Sequence, residues 1–399
     1  MLLLKKNWAA KMQLRPCESR LVVLIALALA VVNMAAAQEL PRNPPLPQAQ
    51  AADSESLSPT TDSDNENDSD NGSDNEPAEK GGNSEKPVAD SDTPVEEALS
   101  PLQYVAPKII EMQIGVRIHA PDGNMFGTLA TTVFPTPWPE QTVEIVETNI
   151  PPNMQAQFRD LPGGNRQWML FAQAIPANAQ VEATVKVRIS KSHIVGPEET
   201  LGFKIPKRVS RDLSQFMSNS PYIEANAGEI RKIVREIDAT EPLSDWKKVE
   251  AMYDWVRENI TYQQGDLKTV REALKDRTGD CEEMTSTFVA LCRAARIPAR
   301  CVWIPNHCYP EFYLEDEQGQ GHWFPCQVAG TRNFGSMPEY LPILQKGDRF
   351  KVPEKSEVQR YIADYLSSKK VLGNNDPQVE FIRQLLGDAA NLRAPDLAN

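Results

Sequence analysis

Arg277-Thr278-Gly279-Asp280-Cys281-Glu282-Glu283, followed by a helical run to Arg296, is the stretch on which the reading of this chain turns. Gly279 permits an unusual backbone angle just before the cysteine. Asp280 suits a helix cap, and Glu282 and Glu283 suit the first turn of the helix it opens. Cys281 then stands at a helix N-terminus, where unpaired amides and the helix dipole favour thiolate over thiol. The same amides suit the oxyanion of a tetrahedral intermediate. A buried structural cysteine more often lies in mid-helix, so Cys281 is a candidate nucleophile.

A thiolate nucleophile needs a proton partner, and the chain has four histidines. His119 and His193 lie in an upstream β-rich segment and are expected at its surface. His322 sits in Gln318-Gly319-Gln320-Gly321-His322, which is turn composition. His307 opens a strand that carries His307, Tyr309, Glu311 and Tyr313 on one face and Cys308, Pro310, Phe312 and Leu314 on the other. Residues 308–327 read as a hairpin whose return strand puts Trp323, Pro325 and Gln327 on a common face. Gln327 is expected opposite His307, accepting a hydrogen bond from one ring nitrogen while the other faces Cys281. The result is a Cys281/His307/Gln327 arrangement, in the order a papain-type site uses with Asn third.

Cys292 falls about three turns along the same helix, with Phe288, and reads as core. Cys308 and Cys326 share the face away from His307, as buried free thiols or, in an oxidising compartment, a disulfide. A zinc site from Cys281, His307, Cys308 and Cys326 is disfavoured, because adjacent strand residues point to opposite faces. No phosphate loop, dinucleotide fingerprint or metal cluster is present, so no cofactor and no metal is expected.

These residues resemble the transglutaminase-like superfamily. Asp254-Trp255-Val256-Arg257-Glu258-Asn259-Ile260-Thr261-Tyr262 looks like the helix and strand that precede the family's cysteine, and Gly279-Asp280-Cys281 like its nucleophile turn. Leu291 to Arg300 looks like the family's R-A-x-G-I-P-A-R run, with Arg296 where the family has Gly. His307, Glu311 and Tyr313, then Trp323 and Pro325, look like its H-x-W-x-E-V-Y and G-W-x-P-x-D hairpin, with Gln327 where the family usually has Asp. The resemblance spans roughly residues 220–330. It implies an α+β, papain/transglutaminase-like domain, with a helix-borne Cys against an antiparallel sheet, and a cysteine acyl-transfer activity on peptide or carboxamide bonds. A carboxylate stabilises an imidazolium by charge and an amide only orients the ring, so Gln327 implies a weaker ion pair with His307. Trp255 and Tyr262 are weaker candidates for lining the acyl site. The alternative is a weak or inactive scaffold on the same fold.

Outward from this segment the chain changes character. The 399 residues carry a formal charge of −13, but residues 51–100 alone hold 15 acidic residues against Lys80 and Lys86. That stretch accounts for the whole imbalance, and residues 101–399 net only −4. An acidic total excludes a general nucleic-acid binder. Lys5, Lys6, Lys11, Arg15 and Arg20 precede the apolar run Leu21–Val32, and Ala35-Ala36-Ala37 follows, which reads as a signal peptide over 1–37. Membrane contact is expected there only, as a transient step, and an N-terminal anchor is the lesser alternative because the run is too short to span. Residues 38–100 read as a disordered acidic linker, and Asp68-Ser69-Asp70-Asn71-Gly72 lacks the closing Glu of a calcium loop.

Alternation in Ile110–Ile118 and Val181–Ile189 predicts an all-β sandwich domain over 101–210. Helical periodicity from Ile230 and Trp246 opens the catalytic domain, 215–345. Helices near Val358–Leu366 and Val379–Leu386 are expected to form a C-terminal extension, 346–399. The expected protein is exported, to periplasm, cell surface or medium, and its partner is a protein or peptide substrate.

Overall fold

β1 (Gln103–His119) and β6 (Gln180–Val195) pair antiparallel along most of their length, with Ile110 opposite Ile189, Met112 opposite Val187 and Ile114 opposite Val185. Every second residue is apolar and buried, the signature of strands with one face in a core. The structure is a computed structural model and describes residues 100–240 and 244–392. The expected signal peptide and nearly all of the expected linker lie outside the described residues.

β2 (Met125–Phe134), β3 (Gln141–Asn149), β4 (Met154–Leu161) and β5 (Asn165–Ile175) complete the N-terminal strands. Two further strands come from the far end of the chain, β14 (Tyr365–Val371) and β15 (Gln378–Leu386). They build two four-stranded antiparallel sheets, ordered β15-β1-β6-β3 and β14-β2-β5-β4, which share one apolar core. The helices expected near 358–366 and 379–386 are therefore not formed. β1 and β2 present edge N–H and C=O groups that need partners, and the C-terminal segments satisfy them, with Phe381 opposite Val116 and Leu366 opposite Ala130. Long-range pairing decides the local conformation there. The all-β part is consequently not an N-terminal domain complete at residue 210. It is assembled from both ends of the described residues, with β1 (Gln103–His119) at one end and β15 (Gln378–Leu386) at the other.

The intervening chain folds as helices α1 (Gly228–Asp238), α2 (Asp245–Asn259), α3 (Val270–Asp276) and α4 (Cys281–Ala294). They pack on an antiparallel sheet of β9 (Ala299–Ile304), β10 (His307–Glu315), β11 (Gly321–Gln327), β12 (Asn333–Phe334) and β13 (Gln345–Lys346), ordered β12-β11-β10-β9-β13. Trp246 of α2 meets Phe312, Phe324 and Phe334 at 5.5, 5.0 and 5.4 Å between ring centroids, so an aromatic cluster backs the β10–β11 hairpin.

α4 is buried almost all round, including three hydroxyl residues. Their hydroxyls are satisfied locally: Ser286 donates to Glu282 O at 2.6 Å, Thr287 to Glu283 O at 2.8 Å and Thr285 to Cys308 O at 3.3 Å. α4 ends at Ala294, and two residues on Arg296 has a φ of +66°, a left-handed position of the kind that favours Gly.

Two of the three arginines of the Leu291–Arg300 run, Arg293 and Arg300, are held in buried ion pairs. Arg293 places Nη2 2.9 and 2.7 Å from the two Asp348 carboxylate oxygens, and also donates to the carbonyls of Ala299 and Ser218. Arg300 binds Glu311 at 2.7 Å, and Lys346 bridges Glu311 and Glu140 at 2.6 and 2.7 Å. That buried network joins β9, β10 and β13 to the segment between β2 and β3.

Candidate active site

The site is assembled from the N-terminus of α4 and the open end of the β10–β11 hairpin. Asp280 caps α4: its side chain accepts from Glu282 N at 2.8 Å and from the Glu283 amide, while Glu283 Oε2 accepts from Asp280 N at 2.8 Å. This reciprocal pair fixes the turn on which Cys281 stands. Gly279 matters for a different reason from the one its sequence suggests. It has no positive φ, but a Cβ there would fall 2.4 Å from Glu283 Cβ, so a side chain would break the capping box. β7 (Thr261–Tyr262) and β8 (Thr278–Gly279) pair in parallel and hold this turn from below.

Gln327 reaches His307. The His307 Nε2 lies 2.9 Å from the Gln327 amide nitrogen and 3.2 Å from Oε1. The hairpin register pairs Glu311 with Pro325, so Gln327 stands on the same face as His307 but diagonal to it, rather than directly opposite. An amide edge suits both states of the ring: its N–H₂ donates to a bare Nε2, and its oxygen accepts from Nε2–H of an imidazolium. α2 places this residue, because Tyr253 Oη donates to Gln327 O at 2.7 Å and Arg257 Nη1 to Val328 O at 2.9 Å.

With Nε2 facing Gln327, the other ring nitrogen, Nδ1, is buried and makes no hydrogen bond, so it is available to the Cys281 side. The Cys281 sulfur and the imidazole move each other's titration in opposite directions. Cys281 is lowered to about 4: the Cys308 thiol is the largest contributor, burial opposes it, and the nearby His307 adds to the lowering. Burial works against the His307 imidazolium, yet Cys281 first, then Gln327 and Glu339, outweigh it and raise the ring above its usual value. Thiolate beside imidazolium is the state both shifts favour. Of the three residues Cys281 is the most accessible, at 9% exposure against 5% for His307 and 2% for Gln327.

The weaker candidates part company. Tyr262 lies beside the nucleophile turn: burial pushes its phenol up, and the charges of Cys281 and Asp280 add to that. Trp255 lies elsewhere, beneath the Arg277 guanidinium at 5.5 Å, on a groove of about 730 Å³ between α1, α2 and α3. Cys292, Cys301, Cys308 and Cys326 are buried free thiols. No disulfide joins Cys308 to Cys326: the Cys308 thiol donates toward Cys281 O at 3.6 Å, and that of Cys326 toward Pro310 O at 3.9 Å. His193 is only part-buried but stacks at 3.9 Å on Tyr340 rather than standing free at the surface.

Arg360 is a site residue that the sequence did not mark. It is 4% exposed, binds Glu282 Oε2 at 3.0 Å and Ser286 Oγ at 2.8 Å, and lies over the Trp303 ring at 5.1 Å. It brings the C-terminal segment onto the first turn of α4. A single arginine in a segment expected to be helical carries no pattern that would have disclosed this.

Residues 231–328 match the family model of the transglutaminase-like superfamily. Among solved structures, a presumed cysteine protease from Cytophaga hutchinsonii is 16% identical, with a TM-score of 0.46 over 70% of this chain and 92% of that one. A presumed protease from Parabacteroides distasonis is 11% identical, with a TM-score of 0.23 over 56% of this chain and 47% of that one. No curated protein matches the chain. The matched residues, 231–328, contain the helix-capped cysteine, the histidine strand and the hairpin, so this segment of the chain is similar to the transglutaminase-like superfamily.

Proposed function

We propose that the protein is a cysteine acyl-transfer enzyme acting on peptide or carboxamide bonds of proteins. The observation that carries this reading is the convergence of Cys281, His307 and Gln327, with the histidine and thiol shifted toward an ion pair. The Cys281 thiolate attacks the substrate carbonyl carbon and the C–N bond breaks. His307 gives its proton to the leaving amine, then takes one from the acceptor, water or a primary amine, which releases the acyl group from sulfur. Gln327 orients the ring. Asp280 already occupies the amides of Glu282 and Glu283, so the Cys281 amide is the backbone donor assigned to the oxyanion.

The two shifts set the pH dependence. The reactive form is thiolate with imidazolium; it gains thiolate as pH rises through about 4 and loses imidazolium as pH passes the raised His307 value, above 6.5. Wild-type protein, incubated with a peptide mixture and hydroxylamine as acceptor, is expected to yield new carboxylates or hydroxamates by mass spectrometry, with a bell-shaped pH profile between those limits. Absence of both products across that range would favour the scaffold reading.

Export belongs to the same proposal, on the strength of the basic cluster, apolar run and Ala35-Ala36-Ala37 at the N-terminus. Mature protein from native cells is expected to begin at Gln38, by intact mass. Full-length chain beginning at Met1 in the soluble cell fraction would remove this part.

A further inference from the structure

We propose that Cys308 is a positioning residue for the nucleophile: its buried thiol, 3.6 Å from the Cys281 carbonyl oxygen, turns its S–H to the Cys281 sulfur when that sulfur ionises. The inference rests on the reading of Cys281 as nucleophile.

The geometry is specific. Cys308 follows His307 on β10, so its side chain leaves the opposite face of the strand. It nonetheless reaches the cysteine turn, because the first turn of α4 lies across β10. Residue 308 is held to α4 at two points one turn apart, its thiol against the Cys281 carbonyl and its own carbonyl accepting from Thr285 Oγ1 at 3.3 Å. A thiol at 1% exposure has no water to bond with, so the α4 turn supplies its acceptors.

Only one of the two sulfurs ionises easily. Burial raises Cys308 well above the usual thiol value, and the Cys281 charge raises it further, so it stays a donor while Cys281 is an anion. Of the contacts that favour the Cys281 thiolate, the Cys308 thiol is the largest, ahead of His307. The remaining titratable neighbours work the other way. Tyr262 faces Cys281 from β7, Asp280 from the cap and Glu282 from α4, with Glu282 partly compensated by Arg360. Glu339 acts on His307. A thiolate among so many acidic groups needs a donor besides a single imidazolium, and Cys308 supplies one without adding charge.

The test is the pH dependence of iodoacetamide alkylation at Cys281, resolved by peptide mass spectrometry, in wild type, Cys308→Ala and Cys308→Ser. The midpoint is expected to rise by about one to two pH units in Cys308→Ala and to return most of the way in Cys308→Ser, whose hydroxyl also donates. A purely structural role would lower the melting temperature and leave the midpoint in place, and that result overturns the inference. So does a wild-type midpoint in the range of a free thiol. If Cys308→Ala does not fold, Cys308→Ser against Cys308→Val gives the same comparison. A low wild-type midpoint that rises in Cys308→Ala, in a protein with no acyl transfer, supports the inference and removes the activity.

Discussion

Cys281→Ala is expected to lower acyl transfer by at least about 10⁴-fold in kcat/KM, because every covalent step passes through that sulfur. The variant should fold normally. Cys281 sits at N1 of α4, the capping box uses Asp280 and Glu283, and Ala suits a helix start of this kind. His307→Ala is expected to approach the same loss, since acyl transfer needs both groups together and effects within such a unit do not add. Gln327→Ala should cost less. It leaves Nε2 bonded to water or nothing and the ring free to turn, without removing nucleophile or base. Undiminished turnover in purified Cys281→Ala, measured by product mass, would sink the proposed function outright.

Asp348→Ala is expected to be the most destabilising single change that leaves the three site residues in place. Arg293 and Asp348 have side-chain exposures of 0% and 1%, and the guanidinium also holds the Ser218 and Ala299 carbonyls and the Ser220 hydroxyl. Removing the carboxylate strands a charge in the core, which costs about 3–5 kcal/mol. For a domain of this size that corresponds to a fall in Tm of roughly 10 °C or more. Arg293 belongs to α4, so the same change loosens the helix that presents Cys281. The double variant Arg293→Met with Asp348→Leu should recover much of the loss, because it leaves no unpaired charge. A melting curve of Asp348→Ala within about 2 °C of wild type would show that the buried pair is not what anchors α4.

Several features were legible in the residues themselves because they are local. The Asp280 cap, the first-turn acids and the start of α4 at Cys281 follow from the chemistry of a helix N-terminus. The strand from His307 and its return to Gln327 follow from alternation and a Gly-rich turn. Other positions were decided by what lies beside them in space rather than by the local pattern. Gly279 is required by the approach of Glu283 rather than by its own backbone angle, and Trp255 stands on a motif helix but faces Arg277. Cys308 leaves its strand on the face away from His307, as alternation predicts, and still touches Cys281 because a helix crosses there.

By itself the sequence determined the helix that opens at Cys281 and the hairpin from His307 to Gln327, since each depends on neighbours within a few positions. The tertiary structure decided that residues 365–386 are strands, that Arg360 grips the first turn of α4, and that Cys308 lies against Cys281. Edge strands left unpaired by one end of a chain are satisfied by whatever segment the fold delivers to them. Buried donors likewise take the nearest acceptor in space. Neither choice leaves a periodic trace in the sequence of the segment that complies.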